Sequence, residues 1–479
     1  MGTLNRLSLV GLMVLLLSGL MLAQDLKLLV EHDKDMLAGS VYRERRENIM
    51  KQIGDGAIAF FQSARPQGEG LYKQDLNLLY LSGFPEPNAL LVLVPKGIKV
   101  KSVTNPNEEI TVREILFVQP RNPRSEQWTG KYYGPEGAVA LRGLAYALPN
   151  SDFAKMLPAL LAAANPKKIY GRLASEEVPQ RMGMRMGLDT RTLTELLQKK
   201  DSTYTVSDPT SIIQKMRGIK SPEEISLIEK STHISALAHN QAMMSCEPGM
   251  HEFDLQAVYE YVFRKLGSRQ AAYSSIVGAG ENSLVLHYDA CRRPINDGDI
   301  IVADCGAEYM DYASDITRTF PANGKFSPAQ RQIYEIVLQA NKAAIETMKS
   351  GNPVSKVSAI VDSIQMEGLV KIGILKTKDR TEYRKFAPHG YSHGVGLQVH
   401  DMGGMMYQPG MVYTMEPGLY VPAGSAGVDP KYYNIGVRIE DTVLITETGN
   451  KILSWESPKE IDAIEALMKK KGIGNQPIQ

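Results

Sequence analysis

Residues 300–320 have the sequence IIVADCGAEYMDYASDITRTF, and this stretch decides the fold of the second half of the chain. It predicts two strands joined near Tyr309 and Met310, so that Asp304 in the first strand stands opposite Asp315 in the second. Side chains paired in this way lie on one face of the hairpin, about 5.5 Å apart at their Cβ atoms. Two carboxylates that close repel each other unless a positive charge lies between them. The stretch therefore predicts a cation site.

The apolar neighbours of the two aspartates indicate that this hairpin is buried. A single acidic residue in a strand usually belongs to a solvent-exposed face, and this is the main alternative for either aspartate taken alone. Ile301 and Ala303 precede the first aspartate, and Ile316 follows the second. Burial favours a bound cation over the solvated face, because a buried carboxylate needs a partner.

Two later segments add ligand candidates. Residues 388–396, PHGYSHGVG, place His389 and His393 in a glycine-rich stretch, where the backbone can come close to a ligand. Residues 415–418, MEPG, place Glu416 at a predicted strand end, where the proline keeps the preceding residue extended and the glycine allows a turn. These segments supply one more carboxylate and two imidazoles for a metal site.

A third segment, residues 438–441, has the sequence RIED and falls in a predicted strand. The two-residue period of a strand puts Arg438 and Glu440 on the same face. Together with the two aspartates, Glu416 and His393, Glu440 completes a set of four carboxylates and one imidazole. Such an oxygen-rich set suits manganese, cobalt or a catalytic zinc pair better than a structural thiolate site.

The order of predicted elements repeats once in the second half of the chain. Two helices, the first opened by a capping box at Ser221, are followed by strands, and the same order returns from Ser327. The strands are predicted at 300–303, 316–320, 411–415 and 437–445. This order predicts a duplicated α+β unit whose helices pack against one curved antiparallel sheet.

The part of the chain before this unit predicts a smaller α/β domain. Residues 151–164 have helical spacing, and a polar stretch at 202–209 closes the domain. Short apolar runs typical of strands occur at 56–62, 89–95, 114–119 and 168–170. We therefore divide the chain into an N-terminal domain at 24–208 and a catalytic domain at 209–470.

The ligand candidates and their neighbours resemble a known family, the metallopeptidases with the pita-bread fold, which include methionine aminopeptidase, prolidase and aminopeptidase P. The strings that carry the resemblance fall within 211–447: IVGAGENSLVLHY, DCGAEYMDYASDITRTFP, HGYSHGVGLQVHD, MEPGLY and VRIEDTVLITETG. Five ligands in the same order are a specific signal. The resemblance implies an α+β pita-bread (creatinase/aminopeptidase-like) catalytic domain, preceded by a smaller α/β N-terminal domain.

The resemblance also implies a role for each matching metal ligand. Asp315 and Glu440 would bridge two divalent ions. Asp304 would hold one of these ions, and His393 with Glu416 would hold the other. The ions are expected to be Mn²⁺, with Co²⁺ or Zn²⁺ as alternatives. Two further residues would orient the first aspartate from outside the metal coordination: Tyr273 and Arg438.

Catalytic roles follow from the same resemblance. His287 and His400 would stabilise the substrate carbonyl and the tetrahedral intermediate, and His389 would orient the residue after the scissile bond. Glu416 would move a proton to the leaving nitrogen. Any one of these histidines alone is more often a buried structural residue, yet four of the eight histidines of the chain fall inside the motifs.

The preceding α/β domain indicates which branch of the family the chain resembles. Methionine aminopeptidase lacks such a domain, whereas residues 72–75, YKQD, and 80–89, YLSGFPEPNA, resemble the N-terminal domain of aminopeptidase P. Residues 68–70 and Gln398 depart from the family pattern. We therefore expect an aminopeptidase that releases the first residue from peptides with proline second. The alternatives are a prolidase restricted to Xaa-Pro dipeptides and a creatinase-like, non-peptidase binding protein.

Charge and cysteine content restrict the partners. Lysine and arginine number 54 against 53 aspartates and glutamates, so the chain has no field that would attract nucleic acid. Its 3 cysteines are too few for a disulfide framework or a zinc cluster and are expected to be buried thiols. The expected partner is a peptide substrate. The resemblance also implies a homo-oligomer, either a dimer or a tetramer.

The first residues have the layout of a secretory signal. Arg6 precedes an apolar run at 7–22, and Ala23 is followed by the polar residues Gln24 and Asp25. This pattern predicts a signal peptide at 1–23 and export to the periplasm or the exterior. The alternative is an uncleaved membrane anchor, because the run approaches the length that spans a bilayer.

Overall fold

The structure is a computed structural model that describes residues 35–66, 71–103, 105, 107–164, 168–171 and 205–476. The predicted signal at 1–23 and the departure at 68–70 lie outside these residues. The chain divides into two compact units, the first ending at Ile213 and the second beginning at Gln214. Across the described ranges, no helix combines the length and the apolar character needed to cross a membrane.

A six-stranded sheet organises the first unit. Its strands are β1 (Ala57–Gln62), β2 (Leu90–Lys101), β3 (Glu109–Val118), β4 (Ala147–Pro149), β5 (Lys168–Tyr170) and β6 (Thr205–Ser207). The spatial order is β4-β3-β2-β1-β5-β6, antiparallel in the middle and parallel at both ends. β2 extends beyond the predicted run at 89–95, because it continues after an irregularity between Leu93 and Ile98.

The helices of this unit are α1 (Gly39–Ile53), α2 (Leu76–Ser82), α3 (Pro123–Thr129), α4 (Gly134–Arg142) and α5 (Phe153–Ala164). The next helix, α6 (Thr210–Gly218), contains the boundary between the two units. Phe153 of α5 packs edge-on against Phe60 and Phe117, with ring centroids 6.3 and 5.2 Å apart. These aromatic contacts fix α5 on one face of the sheet and form the core of the unit.

The helices of the second unit follow the predicted repeat. They are α7 (Pro222–Ser245), α8 (Glu252–Lys265), α9 (Pro328–Thr347), α10 (Val354–Lys371), α11 (Arg380–Arg384) and α12 (Ile461–Leu467). Ser221 and Ser327 each cap the helix that follows, because each side chain accepts the backbone N–H three residues on. Both halves of the unit therefore open in the same way, as the sequence predicts.

The strands of this unit form four antiparallel sheets, so the prediction of one curved sheet is wrong. The strands are β7 (Gln270–Ala271), β8 (Ile276–Ala279), β9 (Ile300–Asp304), β10 (Ala307–Tyr309), β11 (Tyr312–Ala313), β12 (Thr317–Pro321), β13 (Val412–Met415), β14 (Gly418–Val421), β15 (Ile435–Arg438), β16 (Asp441–Ile445) and β17 (Asn450–Ile452). The sheet orders are β11-β10-β7, β12-β9-β8, β13-β16-β17 and β14-β15. The ladders stop where the chain turns beside the acidic residues.

The turn inside residues 300–320 lies one residue later than predicted. Met310 and Asp311 both have positive φ, at 47° and 69°. Two consecutive residues in this region are what a type I′ hairpin turn requires. Tyr309 and Tyr312 pair across the turn.

The later turn changes the register of the whole hairpin. Asp304 pairs with Thr317 rather than with Asp315, so the predicted pairing of the two aspartates is wrong. Asp315 lies two residues before that partner, in the segment between β11 and β12. The two carboxylates are therefore diagonal neighbours at the break between two sheets.

The prediction that residues 438–441 lie in one strand is also wrong. β15 ends at Arg438 and β16 begins at Asp441, so Glu440 lies in a break between strands. The backbone N–H of Glu440 instead donates to the oxygen of Thr317, at 3.1 Å. This bond joins the two halves of the unit next to the acidic residues.

The cysteines agree only in part with the expected buried thiols. All three are free, and Cys291 and Cys305 are buried, whereas Cys246 is partly exposed.

Candidate metal centre

All the site residues that the sequence predicts line one cavity of the second unit, with a volume of about 540 Å³. They are Tyr273, His287, Asp304, Asp315, His389, His393, His400, Glu416, Arg438 and Glu440. Most of the acidic members stand at strand ends or in breaks between strands, where side chains can turn toward a common centre. The fold thus gathers residues that are far apart in the sequence.

The centre of this group consists of Asp315, His393 and Glu440, whose potential ligand atoms all lie within 4.8 Å of one another. Nε2 of His393 is 3.4 Å from Asp315 Oδ2 and 3.4 Å from Glu416 Oε1. Nδ1 of His393 lies 3.1 Å from the backbone oxygen of Gly394, so Nδ1 carries the hydrogen and donates it there. The lone pair of Nε2 therefore faces the carboxylates.

This arrangement fits a divalent metal ion. Burial lowers the pKa of His393 to about 4, so its imidazole is neutral near pH 7. A neutral imidazole nitrogen and a carboxylate oxygen both present lone pairs, so their contact is favourable when a metal ion or a proton lies between them. Oxygen and imidazole donors are those that manganese, cobalt and zinc accept.

The carboxylates also repel one another. Burial raises the pKa of Asp315 well above its usual range, and the charge of Asp304 raises it further. Burial and the charge of Asp315 raise the pKa of Glu440 in the same direction. Burial raises the pKa of Glu416 to about 8. A divalent cation among these groups would offset the repulsion and keep all of them ionised.

Two side chains hold Asp304 in place. Its Oδ1 accepts a hydrogen bond from the Tyr273 hydroxyl at 2.6 Å, and its Oδ2 accepts one from Arg438 Nη2 at 2.8 Å. The Tyr273 oxygen is also 2.6 Å from Asp315 Oδ1, so its single hydrogen is shared between the two aspartates. Tyr273 and Arg438 therefore make the contacts that orient this ligand.

The remaining histidines surround the central group. His400 packs edge-on against His393, with ring centroids 4.2 Å apart, and His287 is exposed at the cavity wall. Nδ1 of His389 donates to the oxygen of Gly390 at 2.5 Å, and its Nε2 accepts from the Tyr420 hydroxyl at 2.9 Å. Burial lowers the pKa of His389 to about 4, so this ring too is neutral.

Glycines allow the close packing of these segments. A Cβ atom at Gly418 would lie 2.8 Å from His389 Nε2 and 2.6 Å from the Tyr420 hydroxyl. A Cβ atom at Gly394 would lie 2.8 Å from the backbone oxygens of Asp401 and Met402. The glycine-rich character of both motifs therefore has a steric reason.

Sequence reasoning missed two residues that contact the site. Thr317 donates its hydroxyl hydrogen to Glu440 Oε2 at 2.7 Å. Tyr420 connects His389 to Arg438, whose Nη1 donates to the Tyr420 oxygen at 2.9 Å. Thr317 lies two residues after Asp315, and the alternation of side chains along a strand puts both residues on one face. This alternation is the signal that could have identified Thr317. Tyr420 lies in the quoted string MEPGLY, but nothing in that string assigns it a contact.

Comparison with known proteins agrees with this geometry. Residues 226–447 match metallopeptidase family M24, and residues 42–170 match the aminopeptidase P N-terminal domain. The chain is 37% identical over 443 residues to the Xaa-Pro aminopeptidase of Haemophilus influenzae, which covers 89% of this chain and 96% of that protein.

Solved structures show the same similarity. Escherichia coli aminopeptidase P with the inhibitor Pro-Leu has a TM-score of 0.80 and 34% identity, covering 90% of this chain and 98% of that chain. The zinc-substituted form of the E. coli enzyme in complex with product also has a TM-score of 0.80 and 34% identity, with coverage of 90% and 98%.

These similarities confirm the predicted fold class, a pita-bread catalytic domain preceded by a separate N-terminal domain. They also confirm that the chain is a hydrolase of the metallopeptidase class that uses divalent metal ions. Since both parts of the chain match and the relatives are covered almost completely, the protein belongs to the Xaa-Pro aminopeptidases of metallopeptidase family M24.

Proposed function

We propose that this protein is a metal-dependent exopeptidase that removes the first residue from peptides with proline at the second position. The observation that carries the proposal is the convergence of Asp315, His393 and Glu440 within 4.8 Å, in a cavity that also contains Asp304 and Glu416. The names of the relatives, which are Xaa-Pro aminopeptidases, supply the substrate class.

The site supports two metal ions. Asp315 and Glu440 belong to the central group, and they are the residues expected to contact both ions. Asp304 joins this group on one side through the shared Tyr273 hydroxyl, and Glu416 joins it through His393. The oxygen-rich donor set supports manganese as the native metal, with cobalt or zinc as alternatives.

Two divalent cations bound here would lower the pKa of a water molecule and polarise the scissile carbonyl. Glu416, which lines the same cavity, would accept a proton from that water and deliver it to the leaving nitrogen. This transfer matters because the nitrogen of proline leaves poorly unless it is protonated. His287 and His400, both in the cavity wall, would donate N–H groups to the carbonyl oxygen as it gains negative charge.

His389 would position the substrate rather than transfer protons. Its ring is held between the Gly390 oxygen and the Tyr420 hydroxyl, so its orientation is fixed. A prolyl residue has no N–H and a fixed φ, so a pocket beside a fixed ring can accept it and exclude most other second residues. The position of His389 on the cavity wall supports this role.

Product analysis of three peptides tests the proposed activity. A peptide beginning Arg-Pro-Pro should lose its first arginine as the free amino acid, whereas one beginning Arg-Ala-Pro should be cut poorly. Cleavage of the dipeptide Gly-Pro with no action on the longer peptide would identify a prolidase instead. Cleavage of none of them, by protein loaded with either manganese or zinc, would favour the non-peptidase binding protein.

We also propose that the protein is exported and that it forms a homo-oligomer. Export is supported by Arg6, the apolar run at 7–22 and Ala23. Assembly into a dimer or a tetramer is supported by the family resemblance alone, and sedimentation of the purified full chain would measure it. The formal net charge of +1 supports a neutral peptide partner rather than nucleic acid.

A further inference from the structure

Two buried side chains outside the cavity wall, His239 and Asn341, bond to backbone oxygens beside the proposed metal ligands. His239 lies in α7 and Asn341 in α9, the helices that open the two halves of the second unit. Both side chains have no exposed surface. A buried polar side chain must satisfy its hydrogen bonds within the protein, so the partners of these two residues are structurally specific.

His239 bonds to two backbone oxygens of different segments. Its Nε2 atom lies 3.2 Å from the oxygen of Cys305 and 3.0 Å from the oxygen of Ile316, so one N–H is shared between them. Cys305 directly follows Asp304, and Ile316 directly follows Asp315. A single imidazole thus holds the backbone beside two proposed ligands.

Tyr259 of α8 fixes the tautomer of this imidazole. Its hydroxyl donates to His239 Nδ1 at 2.9 Å, and the Tyr259 side chain is fully buried. With Nδ1 as acceptor, the ring hydrogen must be on Nε2, where it faces the two backbone oxygens. Burial also lowers the pKa of His239 to about 3, so the ring remains neutral.

Asn341 makes the equivalent contacts in the second half. Its Nδ2 atom donates to the oxygen of Met415 at 3.0 Å and to the oxygen of Ile439 at 3.3 Å. Met415 directly precedes Glu416, and Ile439 directly precedes Glu440. The two hydrogens of one amide group therefore hold the backbone beside the other two carboxylate ligands.

Lys459 orients this amide. Its Nζ atom donates to Asn341 Oδ1 at 2.7 Å and also bonds to the buried carboxylate of Asp441. Because Oδ1 is engaged by the ammonium group, the NH₂ group of Asn341 must face the two backbone oxygens. Lys459 has the same relation to Asn341 as Tyr259 has to His239.

These bonds lie where the strand ladders are interrupted. β9 ends at Asp304, β12 begins at Thr317, β13 ends at Met415, and Glu440 lies between β15 and β16. Single backbone bonds still cross these interruptions, from Cys305 N–H to the oxygen of Ile316 at 3.1 Å and from Glu440 N–H to the oxygen of Thr317 at 3.1 Å. Side-chain bonds from the two helices add a second attachment at the same points.

We propose that His239 and Asn341 are positioning residues, each of which fixes one pair of metal ligands and thereby acts chiefly on the affinity of one of the two ions. His239 acts on Asp304 and Asp315, and Asn341 acts on Glu416 and Glu440. Each pair combines a ligand of a single ion with a bridging ligand. The inference rests on the two-ion site proposed above.

Binding of Mn²⁺ to the metal-free full chain, followed by calorimetry, tests this proposal without using activity. The test variants are His239→Leu and Asn341→Leu, singly and together. Tyr259→Phe and Lys459→Met keep the bonding side chain and remove the group that orients it, although Lys459→Met also removes a bond to the buried Asp441. Thermal unfolding of each metal-free variant measures how much of any effect is general destabilisation.

A matched control removes a buried hydrogen bond from the helix that carries His239 to a carbonyl that does not adjoin a ligand. Ser231 of α7 donates to the oxygen of Ala307 at 2.7 Å. Ser231→Ala therefore loses a comparable bond and should change neither binding step.

We expect two Mn²⁺ ions per wild-type chain. Each single leucine variant should weaken one binding step by about tenfold or more and the other by a smaller factor, because the bridging ligand of each pair contacts both ions. The double variant should weaken both steps strongly, because the single-ion ligands of the two pairs belong to different ions. Tyr259→Phe and Lys459→Met should shift the same steps by smaller factors.

Three outcomes would overturn the inference. The first is a wild-type isotherm with two ions and unchanged steps in every folded variant. The second is equal weakening of both steps by each single variant and by Ser231→Ala, which would indicate general destabilisation. The third is a wild-type stoichiometry of one, which would overturn the two-ion site itself and is therefore distinguishable from the other two.

Discussion

Nε2 of His393 lies 3.4 Å from Asp315 Oδ2, while Nδ1 of the same ring donates to the oxygen of Gly394. The imidazole lone pair is therefore directed at the carboxylate. This relationship between the two residues favours a cation between them and makes Asp315 the most informative ligand to change.

Replacement of Asp315 by asparagine should remove metal and activity together. The amide keeps the shape of the side chain but removes the charge that offsets the cations, so at least one ion should be lost. Metal content after dialysis against a chelator and rate of release of the first residue are the measurements. Asp462→Asn is the control, since the Asp462 side chain is 92% exposed. Full metal content and full activity in Asp315→Asn would remove Asp315 from the site.

His393 and His400 should differ in their effect on metal content. His393→Ala removes a nitrogen that faces Asp315 and Glu416, so it should lose metal as well as turnover. His400→Ala should keep both ions and lose turnover, because His400 packs against the His393 ring in a T-shaped contact and is assigned to the substrate carbonyl. Metal analysis and kcat of both variants are compared. Equal metal loss in the two would show that the division between ligand and catalytic histidine is wrong.

The first unit should become less stable as the pH rises from about 5 to 8, because of Glu86. Glu86 Oε1 accepts the Tyr133 N–H at 2.8 Å, whereas Oε2 is buried and contacts no donor in the described part of the chain. Burial raises the pKa of Glu86 from 4.5 to about 7. Between these values the folded state binds more protons than the unfolded state, so the free energy of unfolding falls as pH rises.

Glu86→Gln should remove this component. Between pH 5 and pH 8, the free energy of unfolding of Glu86→Gln should rise by about 2 kcal/mol relative to that of wild type. Unfolding midpoints of both proteins, taken at each pH, measure this change. Glu136→Gln, a change at an exposed residue of the same unit, is the control. A pH-independent difference for Glu86→Gln would show that the carboxylate is ionised throughout this range.

If the protein is exported, the predicted signal peptide at 1–23 should be removed from the chain. Mass analysis of the protein from its own cells should find a first residue near Gln24, in the fraction outside the cytoplasm. Protein that begins at Met1 and sediments with membranes would favour the anchor instead.

Several features follow from local sequence and were therefore predictable. The capping boxes at Ser221 and Ser327 depend on residues three positions apart, and both helices begin where these residues place them. The apolar runs predicted the positions of most strands, because such a run also depends only on residues that are close in the sequence. The string resemblance over 211–447 predicted the family and fold class, which the comparisons confirm.

The errors concern the backbone between strands. A hairpin centred on Tyr309 and Met310 is as compatible with the alternating pattern as one centred on Met310 and Asp311. The residues that adopt positive φ decide where the turn lies. Moving the centre of the turn by one residue leaves each side chain on the same face of the hairpin, so the alternating pattern does not distinguish the two positions. The interruption at Glu440 was missed because an apolar-polar alternation continues through it.

The sequence by itself determined which residue types are present for the site, in which order, and on which local elements. Only the tertiary structure decided how His239 and Asn341 meet the backbone beside the ligands, because these contacts join residues from 66 to 98 positions apart. Neither residue belongs to a motif, and a buried histidine or asparagine in a helix carries no local signal of its partner. Folding brings the backbone carbonyls at the strand interruptions against these helices. Because the groups are buried there, they must form their hydrogen bonds with each other.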